Sequence, residues 1–212
     1  MNNTTISSLF SIPLMESDYG QTSEDENNII YHHLNDVRHN LYNVSTKETY
    51  LLHKEKGLSK LKKFIESSID MYVKNIVVGD EYNRDELNFK ITQSWANLIR
   101  PDSLGHHPHT HTNSIISGVF YVKTNDVDNI TFTNNFLHFF ETINIEAIKF
   151  NQYNSTTWKY PVSSGKLILF PSNVCHQVEA PIGKGDRISL SFNVFPFGTI
   201  GKRDELTELR IQ

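Results

Sequence analysis

A strict alternation of apolar and polar residues near the end of the chain most limits how this sequence can fold. The apolar members are Ile188, Leu190, Phe192 and Val194, and the polar members between them are Ser189, Ser191 and Asn193. Successive side chains of a β-strand point to opposite faces, so one face of this segment packs into a core while the other lines a polar surface or cavity. The segment from Arg187 to Phe195 is therefore predicted to be a strand between a core and a polar interior.

Other short strands separated by polar turns are predicted from residue 87 onward. They cover residues 89–99, 114–123, 130–132, 145–150 and 165–170. Short strands at this spacing are typical of a sandwich or barrel. Before residue 85, apolar residues recur every three to four positions and predict helices over 28–44 and 59–77. The expected class is α+β, mainly β, with the N-terminal helices packed outside.

We expect one domain over residues 1–212. Its parts are an N-terminal strand and helices (1–85), a core carrying the site (86–200) and a C-terminal tail (201–212). Residues 124–154 interrupt the barrel motifs and are expected to form a strand pair and a loop near the mouth.

Composition excludes several classes of protein. The net charge is −4 and no long basic run exists, so a nucleic-acid partner has no electrostatic support. The single cysteine, Cys175, excludes an internal disulfide and fits a reducing compartment. The N-terminus lacks a signal-like apolar stretch, and no run approaches the roughly 20 apolar residues that span a bilayer. A cytoplasmic protein is the expectation.

Three histidines form the candidate metal site. His109 and His111 are two residues apart on an extended segment, so both side chains point to one face. His176 follows a turn at residues 171–173 that can bring it back across a barrel. Imidazole suits iron, zinc, copper and nickel. The alternative is that the histidine-rich stretch 105–109 is only a polar loop.

A candidate anion pocket follows eleven residues after His176. Arg187 begins the alternating strand, and its planar guanidinium can bind a carboxylate through two hydrogen bonds. Ser189 lies two residues further, hence on the same face, and can donate to the same carboxylate. The alternative is a solvated or ion-paired arginine.

These segments resemble a known family when taken together. They are Asn97, the stretch HTHTNSIISGVFYV (109–122), the stretch GKLILFPS (165–172) with His176, and the stretch RISLSFN (187–193). They resemble the 2-oxoglutarate- and iron(II)-dependent oxygenases, in particular the branch found in marine bacteria and phages. The opening stretch LFSIPL (9–14) also looks like the first strand of that branch.

The resemblance implies a double-stranded β-helix, which is a cupin-like jelly-roll barrel with iron at its mouth. His109 and His176 match the metal histidines, and Arg187 with Ser189 matches the residues that hold the far carboxylate of 2-oxoglutarate. Asn97 and Tyr121 flank the site and are expected to hydrogen-bond this cosubstrate. The implied activity is that of a hydroxylase that uses Fe(II), 2-oxoglutarate and O2, with no catalytic residue beyond the metal ligands.

One position departs from the family pattern of two histidines and one carboxylate. His111 stands where Asp or Glu is usual, and the open alternatives for the third ligand are His107 and Asp102. Two other functions stay open, a cupin-like three-histidine metalloenzyme without 2-oxoglutarate and a non-catalytic jelly-roll module. The substrate, a small molecule or a protein side chain, is not specified by the sequence. A homodimer is compatible with exposed strand edges.

Overall fold

The protein is described by a computed structural model that covers residues 4–8, 11–40, 43–79, 83–134, 149–180 and 184–212. Twelve strands and three α-helices occur in these ranges. The strands are β1 Met15–Asp18, β2 Val37–His39, β3 Val44–Thr46, β4 Leu87–Ile99, β5 His106–His109, β6 Ile116–Lys123, β7 Asn129–Thr133, β8 Thr157–Pro161, β9 Lys166–Pro171, β10 Cys175–Val178, β11 Arg187–Ile200 and β12 Leu209–Ile211. The α-helices are α1 Glu24–His33, α2 Leu51–Lys54 and α3 Ser59–Tyr72, and α3 continues as a π-helical turn over Val73–Val77.

The strands form two antiparallel sheets, as expected for a jelly roll. The larger sheet has the order β1-β9-β6-β11-β4-β3-β2, with β12 also paired to β11, and the smaller sheet has the order β5-β10-β7-β8. Phe132 of the smaller sheet contacts Phe170 of the larger one with ring centroids 5.0 Å apart. The two sheets therefore face each other across a shared interior, and the fold prediction is confirmed.

The outer face of the larger sheet packs on the helices. Buried side chains of α3, including Leu61, Ile65 and Ile69, share one core with Leu190 and Phe192 of β11. These two β11 residues belong to the apolar half of the predicted alternation. The helices lie outside the barrel, as predicted, because they cover the sheet face opposite the polar row.

The contact between β6 and β11 also explains a glycine in the core. Gly118 lies directly opposite Phe192 in the strand register. A Cβ atom at Gly118 would meet the Phe192 ring at 2.0 Å, so the ring fills the space where a side chain would stand. Close packing of this kind leaves no room for a larger residue at position 118.

The helix prediction for residues 28–44 is partly wrong. Helix α1 begins earlier, at Glu24, because Ser23 and Glu26 form a reciprocal capping box in which the Ser23 hydroxyl accepts from the Glu26 amide and the Glu26 carboxylate accepts from the Ser23 amide. It ends at His33, and the chain then forms the β2–β3 hairpin instead of continuing as a helix. The predicted helix over 59–77 is confirmed by α3 and its π-helical extension.

Two strand predictions near the ends of the described ranges need comment. The first described strand is Met15–Asp18, while residues 11–14 are irregular and residues 9 and 10 lie outside the described part of the chain. Residues 135–148 of the predicted mouth segment, which include 145–148 of the predicted strand, also lie outside it, and residues 149 and 150 are not in a strand. Within the described ranges, no helix is long and apolar enough to span a bilayer.

Candidate metal centre

The three predicted histidines converge at one end of the interior. His109 lies at the end of β5 and His176 lies in β10, and the two residues are directly paired across these neighbouring strands. His111 follows two residues after His109 in the β5–β6 loop. One potential ligand atom of each of the three lies within 4.8 Å of the others. The ring centroids are 4.3 Å apart for His109 and His176 and 5.2 Å apart for each pair that includes His111.

Each of the three rings is oriented by a hydrogen bond at Nδ1. His109 Nδ1 is 2.8 Å from the His107 carbonyl oxygen, and His176 Nδ1 is 3.0 Å from the Val174 carbonyl oxygen. His111 Nδ1 is 2.6 Å from the side-chain oxygen of Asn193. Since these oxygens can only accept, Nδ1 carries the proton in each ring and Nε2 keeps its lone pair for a metal.

The electrostatics of the cluster keep the imidazoles neutral. Burial lowers the pKa of His176 to about 3, and the neighbouring His109 adds to this effect. Burial also lowers the pKa of His109 and of His111, although the hydrogen bonds that these rings donate to the His107 carbonyl and to the Asn193 side-chain oxygen act in the opposite direction. Neutral imidazole is the form that binds a metal ion, so the cluster is ready for one at neutral pH.

A network of serines fixes the loop that carries His111. The His111 amide donates to the Ser172 carbonyl at 3.0 Å. The Ser172 hydroxyl bonds to those of Ser114 (2.8 Å) and Ser117 (2.9 Å), and Ser114 also receives the amide of Val194. The Phe-Pro-Ser motif therefore connects the His111 loop to the turn that leads to His176.

The two alternative ligands are exposed, and the His107 ring centroid is 5.6 Å from that of His109. The His107 side chain is exposed, and its ring lies against His106 at a centroid distance of 4.9 Å. Asp102 is exposed in the turn before β5. Among the described residues, the cluster suited to a metal ion consists of His109, His111 and His176.

Arg187 is buried on the inner face of β11. Only 3% of its surface is exposed, and its Nη1 donates to the Asn129 carbonyl at 2.7 Å. Its Cζ lies 5.3 Å from the centroid of the Tyr121 ring. Ser189 is buried on the same face and is paired in register with Tyr121 on one side and Asn97 on the other. These four predicted residues thus form one inner wall across β4, β11 and β6.

Several side-chain polar atoms of the two sheets are buried without a partner in the described part of the chain. Among the described residues, the Arg187 Nε and the Tyr121 hydroxyl make no hydrogen bond, and neither does Nδ1 of His106. Asn97 differs, because its Oδ1 accepts from Ser45 at 2.7 Å and its Nδ2 donates to Ser191 at 3.0 Å. An unpaired buried donor costs free energy unless a ligand or water supplies the missing acceptor.

His106 lies beside the cluster and is absent from the residues predicted from the sequence. Its ring centroid is 4.3 Å from that of His109. Burial lowers its pKa to about 4, with further lowering from the neighbouring histidines and from Arg187. The sequence carries a weak signal for it, since His106 begins the strand that ends with His109.

An open cleft leads to the centre from the side of His111. It encloses about 700 Å³ and is lined, besides His111, by Tyr50, Thr92, Gln93, Thr110, Thr112, Asn113, Asn193 and Phe195. The Trp95 ring stacks near His111 at a centroid distance of 5.9 Å. The described lining contains no Asp, Glu, Lys or Arg side chain, so a bound molecule meets hydroxyls, amides and aromatic rings there.

Comparison with known proteins bears on the barrel. Residues 93–193 match the family described as "Putative 2OG-Fe(II) oxygenase", and this stretch includes every site residue predicted from the sequence. No curated protein matches the sequence significantly.

Solved structures with a similar fold have low sequence identity. HygX from Streptomyces hygroscopicus, solved with nickel, 2-oxoglutarate and hygromycin B bound, has 11% identity and a TM-score of 0.54, with coverage of 88% of this chain and 85% of that one. A prolyl-4-hydroxylase from Pseudomonas putida has 10% identity and a TM-score of 0.54, with coverage of 86% and 93%. The carbocyclase SnoK from nogalamycin biosynthesis has 10% identity and a TM-score of 0.58, with coverage of 91% and 84%.

Proposed function

We propose that this chain works as a hydroxylase with Fe(II), 2-oxoglutarate and O2, because residues 93–193 match the family described as "Putative 2OG-Fe(II) oxygenase". The observation that carries the proposal is the pairing of two features in one interior. Three neutral imidazoles have their Nδ1 atoms fixed by acceptors, and a buried arginine near Tyr121 keeps a free donor.

His109, His111 and His176 would hold the iron through their Nε2 atoms. Three protein ligands leave open positions for a cosubstrate and O2, as in other non-haem iron oxygenases. When bound, the iron would activate O2, which is the oxidant: one oxygen atom would enter succinate as 2-oxoglutarate loses CO2, and the other would enter the second substrate. The chain itself orients these groups and limits the access of water.

Arg187 would hold the far carboxylate of 2-oxoglutarate. Its Nη1 is bound to Asn129, so the guanidinium is fixed while Nε stays free to donate. The Tyr121 hydroxyl has no partner in the described part of the chain and can donate to the same carboxylate. Ser189 completes this anion pocket from the neighbouring inner position of β11. Asn97, held by Ser45 and Ser191, would form the adjoining wall.

The ligand set favours one second candidate function. With His111 in place of a carboxylate, the ligands are all neutral, as in cupin-like three-histidine metalloenzymes that use no 2-oxoglutarate. The buried Arg187 argues for the oxygenase, because a guanidinium with an unpaired buried donor needs an anion. A non-catalytic jelly-roll module would need neither feature.

We propose that the substrate enters through the cleft beside His111. Its described lining has hydroxyl, amide and aromatic groups without acidic or basic side chains, which favours an uncharged part of the substrate. The similar structures include a protein bound to hygromycin B and a prolyl-4-hydroxylase, so both a small molecule and a protein side chain fit the fold. A reducing compartment such as the cytoplasm suits the lone Cys175.

The decisive experiment is an anaerobic titration. Iron(II) and then 2-oxoglutarate are added to metal-free protein while the visible spectrum is monitored for a weak charge-transfer band, and succinate is measured after O2 is admitted. We expect the band and succinate with the wild type, and iron binding without the band with Arg187→Ala. Iron binding without band or succinate in the wild type would indicate the three-histidine alternative. Absence of iron binding would indicate the non-catalytic jelly-roll module.

A further inference from the structure

His106 lies at the start of β5, beside the histidine cluster but outside it. Its ring is stacked on that of His107, with centroids 4.9 Å apart and an angle of 14° between the planes. On the other side, its centroid is 4.3 Å from that of His109. His107 is exposed to solvent, whereas His106 is half-buried. Two adjacent histidines of the same strand therefore have different environments.

The Nδ1 atom of His106 is buried and unpaired within the described ranges. Only three other buried side-chain atoms in these ranges share this state, and two of them, the Arg187 Nε and the Tyr121 hydroxyl, belong to the anion pocket. Buried polar groups are nearly always hydrogen-bonded in folded proteins. Three such atoms around one interior therefore indicate a polar ligand that the protein chain does not itself supply.

His106 lies beside the histidine cluster, with its ring centroid 4.3 Å from that of His109. In the tautomer that carries its proton on Nδ1, the imidazole donates one hydrogen bond from that atom, and a carboxylate oxygen can accept it.

We propose that His106 is a further cosubstrate-binding residue, which donates a hydrogen bond from Nδ1 to a carboxylate oxygen of 2-oxoglutarate. This inference rests on the proposed function, because it requires that 2-oxoglutarate occupies the interior between the histidine cluster and Arg187. It adds a residue that neither the H-x-H pair nor the Arg-x-Ser motif contains.

Three substitutions distinguish the Nδ1 atom from the rest of the ring. The amide nitrogen of asparagine reaches about as far as Nδ1 of histidine, whereas that of glutamine reaches about as far as Nε2. His106→Asn, His106→Gln and His106→Leu are compared with the wild type in anaerobic titrations of iron(II), and of 2-oxoglutarate at saturating iron. His107→Asn is the matched control, since its exposed neighbouring ring is changed and its backbone carbonyl still accepts from His109.

We expect His106→Leu to weaken 2-oxoglutarate binding about ten- to hundredfold, as for loss of a hydrogen bond to a charged group. His106→Asn should bind 2-oxoglutarate within about threefold of the wild type, while His106→Gln should resemble the leucine variant. Iron affinity should be unchanged in all three, and His107→Asn should behave as the wild type. Far-ultraviolet circular dichroism and the melting temperature verify that each variant is folded.

Three results would overturn the inference. Wild-type affinity for 2-oxoglutarate in His106→Leu would make His106 a structural residue paired with buried water. An equal loss in the asparagine and leucine variants would assign the effect to ring packing, and loss of iron affinity would assign it to the metal centre. The proposed function is tested separately, because its failure would appear as absent 2-oxoglutarate binding in the wild type itself.

Discussion

The hydrogen bond between His111 and Asn193 gives the sharpest prediction about metal affinity. The other two histidines of the cluster are oriented by backbone carbonyls, which substitution does not remove. For His111 the acceptor is a side chain at 2.6 Å, and Asn193 is 8% exposed at the wall of the cleft. Asn193 is therefore the position where the orientation of one ligand can be changed without touching the ligand.

The size of the effect follows from what replaces the amide. Loss of such an outer hydrogen bond typically costs about 10- to 100-fold in metal affinity. In Asn193→Ala, water from the cleft can accept from Nδ1, so we expect a loss near tenfold, or about 1.4 kcal/mol. In Asn193→Leu, the apolar side chain excludes that water, and the loss should approach a hundredfold. Asn193→Asp should instead tighten binding, because a carboxylate makes the imidazole a stronger electron donor.

Iron(II) affinity is measured anaerobically by competition with a chelator of known affinity. Gln93→Ala is the control, because Gln93 lies opposite Asn193 in the β4–β11 register and lines the same cleft without bonding to His111. Wild-type iron affinity in the alanine, leucine and aspartate variants of Asn193 would refute the reasoning. It would mean that the hydrogen bond at Nδ1 of His111 does not affect the metal centre.

Three further predictions concern stability and the cleft. The pKa of His176 is about 3 in the folded protein, whereas that of an ordinary histidine is 6.5. Between these two pH values the unfolded chain binds more protons than the folded one, so the free energy of unfolding decreases as the pH falls below 6.5. Because of this group, the free energy of unfolding of the metal-free protein should decrease by up to about 1.4 kcal/mol per pH unit. Denaturant titrations at several pH values should show a weaker pH dependence of this free energy for His176→Gln, and an identical pH dependence would contradict the assignment. Gly118→Ala should destabilise the protein by about 1–3 kcal/mol because the new methyl group overlaps the Phe192 ring. The smaller side chain in Gly118→Ala/Phe192→Leu should restore part of the lost stability. An unchanged urea midpoint for Gly118→Ala would mean that the ring moves freely. Gln93→Glu and Gln93→Lys each place a charge in the cleft, and both should raise the KM for an uncharged substrate while the KM for 2-oxoglutarate stays constant. Steady-state assays in which one variant raises the substrate KM and the other lowers it would show that the substrate is charged at this position.

The sequence predicted the parts of the site that depend on local spacing. The H-x-H pair and the alternation along β11 require only that each segment be extended, because residues two apart then share a face. The predicted division between the outer residues Leu190 and Phe192 and the inner residues Ser189 and Ser191 is found in the structure. Convergence of His176 with the pair is likewise found, although its position depends on strand pairing.

The features that the sequence did not predict depend on tertiary contacts. Asn193 is 82 residues from His111, so their hydrogen bond has no local signal. The free Nδ1 of His106 reflects what surrounds it, and the adjacent His107 looks the same in sequence but is exposed. The helix error arose because apolar residues kept their spacing beyond residue 33, although the capping box at Ser23 was legible in the sequence.

Strand β11 sets the distance between the two ends of the site. It lies inside the larger sheet between β4 and β6, and it carries Arg187 at its first position and Asn193 six residues later. At roughly 3.3 Å per residue, about 20 Å of one continuous strand separates the carboxylate anchor from the residue that orients His111. Insertion of one residue between them would turn one of these side chains out of the interior. The number of residues between the carboxylate anchor and the residue that orients His111 is therefore fixed by the geometry of a single strand, whereas the cleft loops carry no such constraint.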